Sequence, residues 1–399
     1  MTNDATWSSG TGALLALAIG AFGIGTTEFS PMGLLPVIAE GVDVSIPTAG
    51  MLISAYAIGV MIGAPVMTLL FSRFGKRTAL MALMGIFTIG NLLSALAPDY
   101  WTLLAARVVT SLNHGAFFGL GAVVAASVVP KEKQASAVAI MFMGLTIANI
   151  GGVPAATWIG QQIGWRMAFA GTAALGVIAI IALWIALPKG EPGQPVNVRR
   201  ELRVLARPEV VVSILITMLG FSGTFALYTY VAPLLEDMAG ASGSFVTLAL
   251  ALIGIGFTIG NWLGGKLADW SPEGATAIFL VSMVVIMLAM PFLLTNQISA
   301  AITLLVWGIA AFAIVPPVQT RVMQAASDAP GLASSVNIGA FNLGNAIGAA
   351  IGGAVIAMGY GYAAVPVAGA LLAVAALSLV LIARRQNVEP NSLHGACST

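Results

Sequence analysis

Of the fifteen acidic residues in the chain, only Glu28 falls deep inside a long apolar run. It lies roughly ten residues from one end of that run, about 15 Å into a helix that rises 1.5 Å per residue. Holding a carboxylate there costs on the order of 2.5–3.5 kcal/mol even on lenient insertion scales. An acid kept at that cost is suited to taking up and releasing a proton. The competing reading is a protonated or paired glutamate that only pins helices together. A second apolar run carries Arg107, Ser111, His114 and Phe118, and steps of four, three and four residues set them on one helical face. His114, roughly thirteen residues in, reaches a depth close to that of Glu28. It can accept a proton, hydrogen-bond a substrate, or stay neutral as a bond between helices. Arg107 is shallower, about 9 Å in. A buried arginine needs a partner and Glu28 is the deep acid on offer, so Arg107 is expected to tune the charge of that acid rather than to snorkel. Arg321 stands near the end of its own run and reads as a snorkelling anchor. The tandem Pro316-Pro317 before it predicts a kink or a break.

The second half of the chain has no deep acid. Its polar groups within apolar runs are Tyr228, Thr229, Tyr230, Asn261, Asn337, Asn342 and Asn345, with Phe225, Trp307 and Phe341 as apolar walls. Phe118, Asn149, Tyr228, Asn261, Asn342 and Asn345 are therefore the candidates for holding a substrate, the first half carrying the proton. Helix association competes for each of them, because Asn hydrogen bonds and glycine surfaces both join helices. Enzyme motifs are absent. Two histidines and one cysteine, Cys397, assemble no metal cluster, and there is no phosphate-binding Walker loop. The reading is a non-enzyme with no cofactor.

These residues need elements that hold them in an apolar medium. The 399 residues are 59% hydrophobic and 8% charged, against roughly 25% charged in soluble domains. A net charge of +1 with no basic stripe excludes a nucleic-acid binder, and one cysteine excludes a disulfide scaffold. Unbroken apolar runs of about twenty residues match helices that cross hydrocarbon, not the alternating strands of a barrel. Twelve spans are predicted, at 13–38, 48–71, 78–97, 101–128, 135–158, 167–187, 210–235, 245–265, 275–294, 299–323, 334–358 and 363–383. The chain thus divides into a six-helix bundle at 1–187, a polar linker at 188–209, a second bundle at 210–385 and a tail at 386–399. Thirteen of sixteen basic residues fall on one side, among them Arg73, Lys76, Arg77, Lys266 and Arg384, and Arg166 alone on the other. The positive-inside rule places both termini and the linker in the cytoplasm. Residues 1–12 lack a basic n-region and no cleavage site follows, so the first span is expected to be retained.

The chain repeats itself. Ile58–Gly63 matches Ile255–Gly260, Ala135–Ile140 matches Ala333–Ile338, and Asn149–Gly152 matches Asn345–Gly348, at offsets of 197, 198 and 196 residues. Three matches in order predict two homologous halves. Six spans per half is an even number, so both halves run the same way through the membrane, an architecture of secondary transporters.

At this point the chain resembles the major facilitator superfamily over nearly its whole length. Gly265-Lys266-Leu267-Ala268-Asp269, between spans 8 and 9, looks like the superfamily's loop motif, with a glycine four residues before an aspartate. The equivalent stretch between spans 2 and 3, Ser72-Arg73-Phe74-Gly75-Lys76-Arg77, keeps the glycine and the basic residues but has Ser72 in place of the aspartate. Arg107 fits the arginine of proton-driven members, and Gly152-Val153-Pro154 is a degenerate antiporter motif. Thr26-Thr27-Glu28-Phe29, Met32-Gly33-Leu34-Leu35-Pro36 and His114-Gly115-Ala116-Phe117-Phe118 resemble the drug/proton antiporter branch that includes arabinose and sugar efflux permeases. The resemblance implies an all-α membrane fold of two parallel pseudo-symmetric six-helix bundles in a bacterial inner membrane. It implies export of a small organic molecule against inward proton flow by alternating access. Glu28, Arg107 and His114 would couple the proton, and Gly265, Asp269, Arg73, Gly75 and Pro154 would serve the conformational change. The partners are then a small-molecule substrate, protons and the lipid bilayer, and the working unit a monomer. Proton-independent uniport or uptake is the alternative, and a receptor without transport is disfavoured by short loops.

Overall fold

The computed structural model describes residues 3–71, 73–130, 134–188, 204–327 and 330–394. Among them there is no β-strand, and twelve helices are long and apolar enough to cross a membrane. The spans are Gly10–Gly41, Ile46–Phe71, Lys76–Leu96, Tyr100–Ser127, Ala137–Gln162, Trp165–Ala186, Pro208–Thr229, Gly243–Trp270, Pro272–Leu293, Gln297–Ala325, Val336–Ala357 and Ala364–Arg384. Most ends agree with the hydropathy reading to within a few residues. Span 8 does not. It continues to Trp270, so Gly265–Asp269 forms its last turn rather than a loop. Ser271 makes this possible: its N–H closes span 8 on the Leu267 carbonyl, and its side chain accepts from Gly274 N to open span 9. The final helix runs on to His394. Residues 189–203 of the linker, Ser72, Lys131, Lys133 and Cys397 lie outside the described residues.

The helices expose a broad apolar surface, including Trp101, Trp184, Trp262, Phe292 and Ile298. Water would penalise a surface of that kind, whereas lipid does not. Inside, small residues allow the close approach that membrane helices use in place of hydrophobic collapse. The repeat is visible in that packing. A Cβ on Gly59 of span 2 would fall against Ser111 of span 4, and a Cβ on Gly256 of span 8 against Gly308 of span 10. Gly63 meets Leu112 just as Gly260 meets Ile309, and Gly152 meets Thr26 as Gly348 meets Ser222. Each pair of contacts recurs at the sequence offset of its repeat, 197 or 196 residues. The fold is two pseudo-symmetric six-helix bundles.

The bundles meet on one side. A single apolar core joins Phe29, Met32, Leu35, Ala39, Ala49, Ile53 and Val153 of the first half to the spans of the second. All seven lie toward the Gly41–Ile46 turn. Toward the N-terminus the apolar cores belong to one half or the other: Leu14, Leu17, Leu80 and Leu83 group within the first, and Val204, Val210, Val322 and Ala333 within the second.

Candidate functional site

Glu28, Arg107 and His114 are all buried, and the fold places them around one further side chain, Tyr56 of span 2. His114 Nε2 lies 3.9 Å from Glu28 Oε2. On the other ring nitrogen, His114 Nδ1 lies 3.2 Å from the Tyr56 hydroxyl. The Tyr56 ring in turn carries the Arg107 guanidinium, with Cζ 4.3 Å from the ring centroid. Phe169 flanks the same guanidinium at 5.6 Å. The expected Arg107–Glu28 pairing is therefore not a direct ion pair. Consecutive residues of a helix point about 100° apart, so Thr27 faces Arg107 while Glu28 faces His114. Arg107 Nη1 donates to Thr27 Oγ1 at 3.3 Å, and Nε and Nη2 have no hydrogen-bond partner among the described residues.

The imidazole between Glu28 and Tyr56 has two useful tautomers. With the Tyr56 O–H donating to Nδ1, the ring presents Nε2–H toward the Glu28 carboxylate. With Nδ1–H donating to the Tyr56 oxygen, the ring presents a lone pair toward a protonated Glu28. Ring orientation is held by Phe118, whose centroid is 5.2 Å from that of His114 and which stacks on Phe142 at 5.1 Å. Phe118 thus serves as the wall behind the histidine. Ser111, on the same face, turns away to the Val108 carbonyl at 2.7 Å.

Among the described residues, four helices are interrupted along their length. Span 4 breaks at Leu112–Asn113, directly before His114, where Leu112 N–H bonds back three residues to the Val109 carbonyl at 3.3 Å. The Asn113 amide is buried there with neither its oxygen nor its nitrogen partnered among the described residues. Span 5 contains a π-turn at Ala148–Gly152. Pro154 is its cause, since it lacks the N–H that the Ile150 carbonyl would use, and the helix widens by one residue to compensate. Span 7 stops at Thr229, and a short helix, Val231–Ala239, continues beyond Tyr230. Span 10 breaks at Ile314, two residues before the Pro316-Pro317 pair that predicts it.

In the second half, Tyr228 is buried in an aromatic cluster, 5.9 Å from Phe29, 5.3 Å from Phe257 and 6.2 Å from Trp307 between ring centroids. Asn149 and Asn342 each donate Nδ2 to the carbonyl four residues back, Leu145 at 3.0 Å and Ile338 at 2.9 Å. That orientation leaves both Oδ1 atoms, and that of Asn345, buried without a donor. Asn337 instead ties span 11 to span 10 through Gln319 Oε1 at 2.7 Å. Asn261 stands apart, exposed, one turn past Phe257 on span 8.

The motif residues fall at helix ends and after the π-turn of span 5. Arg73 is exposed, Gly75 precedes the first turn of span 3, and Pro154 follows the π-turn. A Cβ on Gly265 would enter open space, and Asp269 is exposed with no hydrogen bond or ion pair among the described residues. Arg321, expected to snorkel, is instead clasped inside its bundle: Nη1 lies 3.4 Å from Glu273 Oε1 of span 9, and Nε donates to Ser213 Oγ of span 7 at 3.2 Å. Sequence reasoning passed over Tyr56, Asn91, Asn113 and Thr172. Asn91 had a legible signal, a single amide in the apolar run of span 3. Tyr56 had none, because an aromatic in a membrane helix ordinarily packs against lipid or core.

The match to known proteins agrees with this arrangement. The model of the Major Facilitator Superfamily matches residues 17–338. The Inner membrane transport protein YdhP of Escherichia coli (strain K12) is 66% identical over 376 residues, covering 94% of this chain and 97% of that protein. A probable sugar efflux transporter of Helicobacter pylori is 29% identical over 351 residues, 88% of this chain and 90% of that protein. In fold, the chain is similar to a crystal structure of a bacterial homolog of the human lysosomal transporter Spinster, with a TM-score of 0.76, 16% identity and coverage of 94% and 97%. With twelve apolar helices in two repeated bundles and a family match over most of its length, the chain belongs to the major facilitator superfamily and is a multi-pass membrane transporter.

Proposed function

We propose that the protein is a proton-coupled exporter of small organic molecules in the bacterial inner membrane, with Glu28 as the proton carrier. The observation that carries this reading is the buried Glu28 carboxylate, 3.9 Å from His114 and without an ion pair to Arg107. A carboxylate so placed changes charge when it binds a proton, and no fixed partner holds it in one state. His114 and Tyr56 form the polar path beside it, while Arg107 supplies a positive field from behind Tyr56. The aromatic cluster around Tyr228 and the free carbonyl oxygens of Asn149, Asn342 and Asn345 suit a substrate with apolar faces and hydrogen-bond donors.

The two bundles, joined by the linker at 188–209, rock about this centre. With both termini in the cytoplasm, as the basic residues favour, the core shared near the Gly41–Ile46 turn lies on the periplasmic side, which supports an inward-facing state. The protein works as a monomer. The Helicobacter pylori relative is named a probable sugar efflux transporter, a likeness that supports the export direction.

The test is a screen of small organic compounds against proteoliposomes with an imposed pH gradient, reading luminal pH with a trapped dye. A compound that dissipates the gradient in wild type, and not in Glu28→Gln at matched protein density, meets the expectation. Equal proton flux in both proteins assigns the proton to another group or makes the transport proton-independent.

A further inference from the structure

The placement of Arg107 is decided by a residue that does not touch it. Its one hydrogen bond among the described residues goes to Thr27 Oγ1, and since a guanidinium can only donate, where it lies depends on where Thr27 holds that oxygen. A helical threonine ordinarily gives its proton to the carbonyl four residues back. Thr26, Thr88 and Thr110 of this chain do so, at 2.8 Å to Phe22, Met84 and Ala106. Thr27 does not. Its hydroxyl donates to Asn91 Oδ1 across the bundle. The Asn91 amide has no freedom to turn, because its Nδ2 donates to the Phe87 carbonyl at 3.0 Å. Thr172 Oγ1 of span 6 lies 3.1 Å from the same oxygen, while reaching the Phe169 carbonyl at 2.8 Å. With Thr27 Oγ1 tied across the bundle to Asn91, its lone pairs are held facing Arg107. Donation therefore runs one way, from Arg107 to Thr27 to Asn91, through spans 4, 1 and 3.

We propose that Asn91 is a positioning residue: by fixing the orientation of the Thr27 hydroxyl, it holds the Arg107 guanidinium over Tyr56 and so sets the field at Glu28. The proposal rests on the reading of Glu28 as the proton carrier. The titratable groups around Arg107 are Glu28 of span 1, Tyr56 of span 2 and His114 of its own span. Spans 3 and 6 present only uncharged groups to it, Asn91 through Thr27, and Phe169. Without Asn91, Thr27 Oγ1 loses its tie across the bundle, and Arg107 loses an acceptor held in a fixed orientation.

The experiment is an infrared titration of the full-length chain in liposomes. The carboxylic C=O band of Glu28 is identified by its loss in Glu28→Gln. Asn91→Leu and Thr27→Val, both near-isosteric, are expected to displace the midpoint of that band by about half a pH unit or more, in the same direction as Arg107→Gln. The double variant should show no further displacement, since both changes break one chain. Thr27→Ser keeps the hydroxyl and should titrate as wild type. If Asn91→Leu fails to insert, Asn91→Ala replaces it. A wild-type midpoint in the Asn91 variant, or additive displacements in the double variant, overturns the positioning role alone. A wild-type band that does not titrate between about pH 5 and 9 overturns the proton-carrier reading and the positioning role with it.

Discussion

Tyr56 presents its two functions to two different partners: its ring lies under Arg107, 4.3 Å from Cζ to centroid, while its hydroxyl sits 3.2 Å from His114 Nδ1. The cation and the imidazole are thereby linked without touching. Tyr56→Phe separates the two functions, since it keeps the ring and removes the hydroxyl. The expected result is a loss of pH-driven flux of about tenfold, the equivalent of one hydrogen bond near 1.4 kcal/mol, with a displaced pH profile. An unchanged profile would reduce Tyr56 to a stacking partner for Arg107.

Tyr230 is the wedge on the closed side. Its hydroxyl donates to the Ala349 carbonyl at 2.8 Å, and a Cβ on either Gly50 of span 2 or Gly353 of span 11 would run into it. Gly50→Ala should therefore oppose closure by about 1–3 kcal/mol, a typical overpacking cost. Spin labels at the exposed ends Glu40 and Asp237 should report longer distances in this variant. Adding Tyr230→Phe removes the colliding oxygen and should bring part of the population back. Identical distance distributions in Gly50→Ala and wild type would rule the wedge out.

The clasp of Arg321 on Glu273 and Ser213 makes a stability prediction. Side-chain exposure is 11% for Arg321 and 35% for Glu273, so the pair is partly screened. Glu273→Gln leaves the cation with only Ser213 and should cost about 1–2 kcal/mol. Arg321→Met, which removes the charge and keeps an apolar stem, should cost less. Equal melting temperatures in detergent for Glu273→Gln and wild type would mean that the pair contributes nothing.

Asp99 sits outside the spans and caps span 4, accepting from Thr102 N–H at 2.9 Å and from the Thr102 hydroxyl at 3.0 Å. These bonds to the charged form hold its carboxyl below the ordinary aspartate range. The folded value is depressed, so this contribution is fully present above the unfolded value, near pH 4, and fades as pH falls through the folded one. Asp99→Asn keeps a cap without the charge. The melting temperature of wild type minus that of Asp99→Asn should fall as pH drops from about 5 to 3; a constant difference would detach the cap from pH.

Much of this molecule was legible in the chain alone. Twelve apolar runs and a repeat near 197 residues are local or one-dimensional signals, because a helix in lipid must satisfy its backbone within itself. The same logic marked Glu28, Arg107 and His114, since charge in an apolar run is conspicuous wherever the helix sits. It also marked the break at Ile314, because a proline lacks its N–H in any surrounding. What the chain did not contain was azimuth: how each helix is turned against its neighbours. A rotation of 100° between Thr27 and Glu28 decided that Arg107 meets the hydroxyl and not the carboxylate. Tyr56 and Asn91 became partners of the charged residues only when spans 2 and 3 were set against spans 1 and 4. Arg321, read as an anchor from its position near a helix end, proved to face inward to Glu273 and Ser213. Partner choice depends on contacts between residues 48 to 108 positions apart in sequence. Such contacts follow from close packing of whole helices, which no single segment specifies.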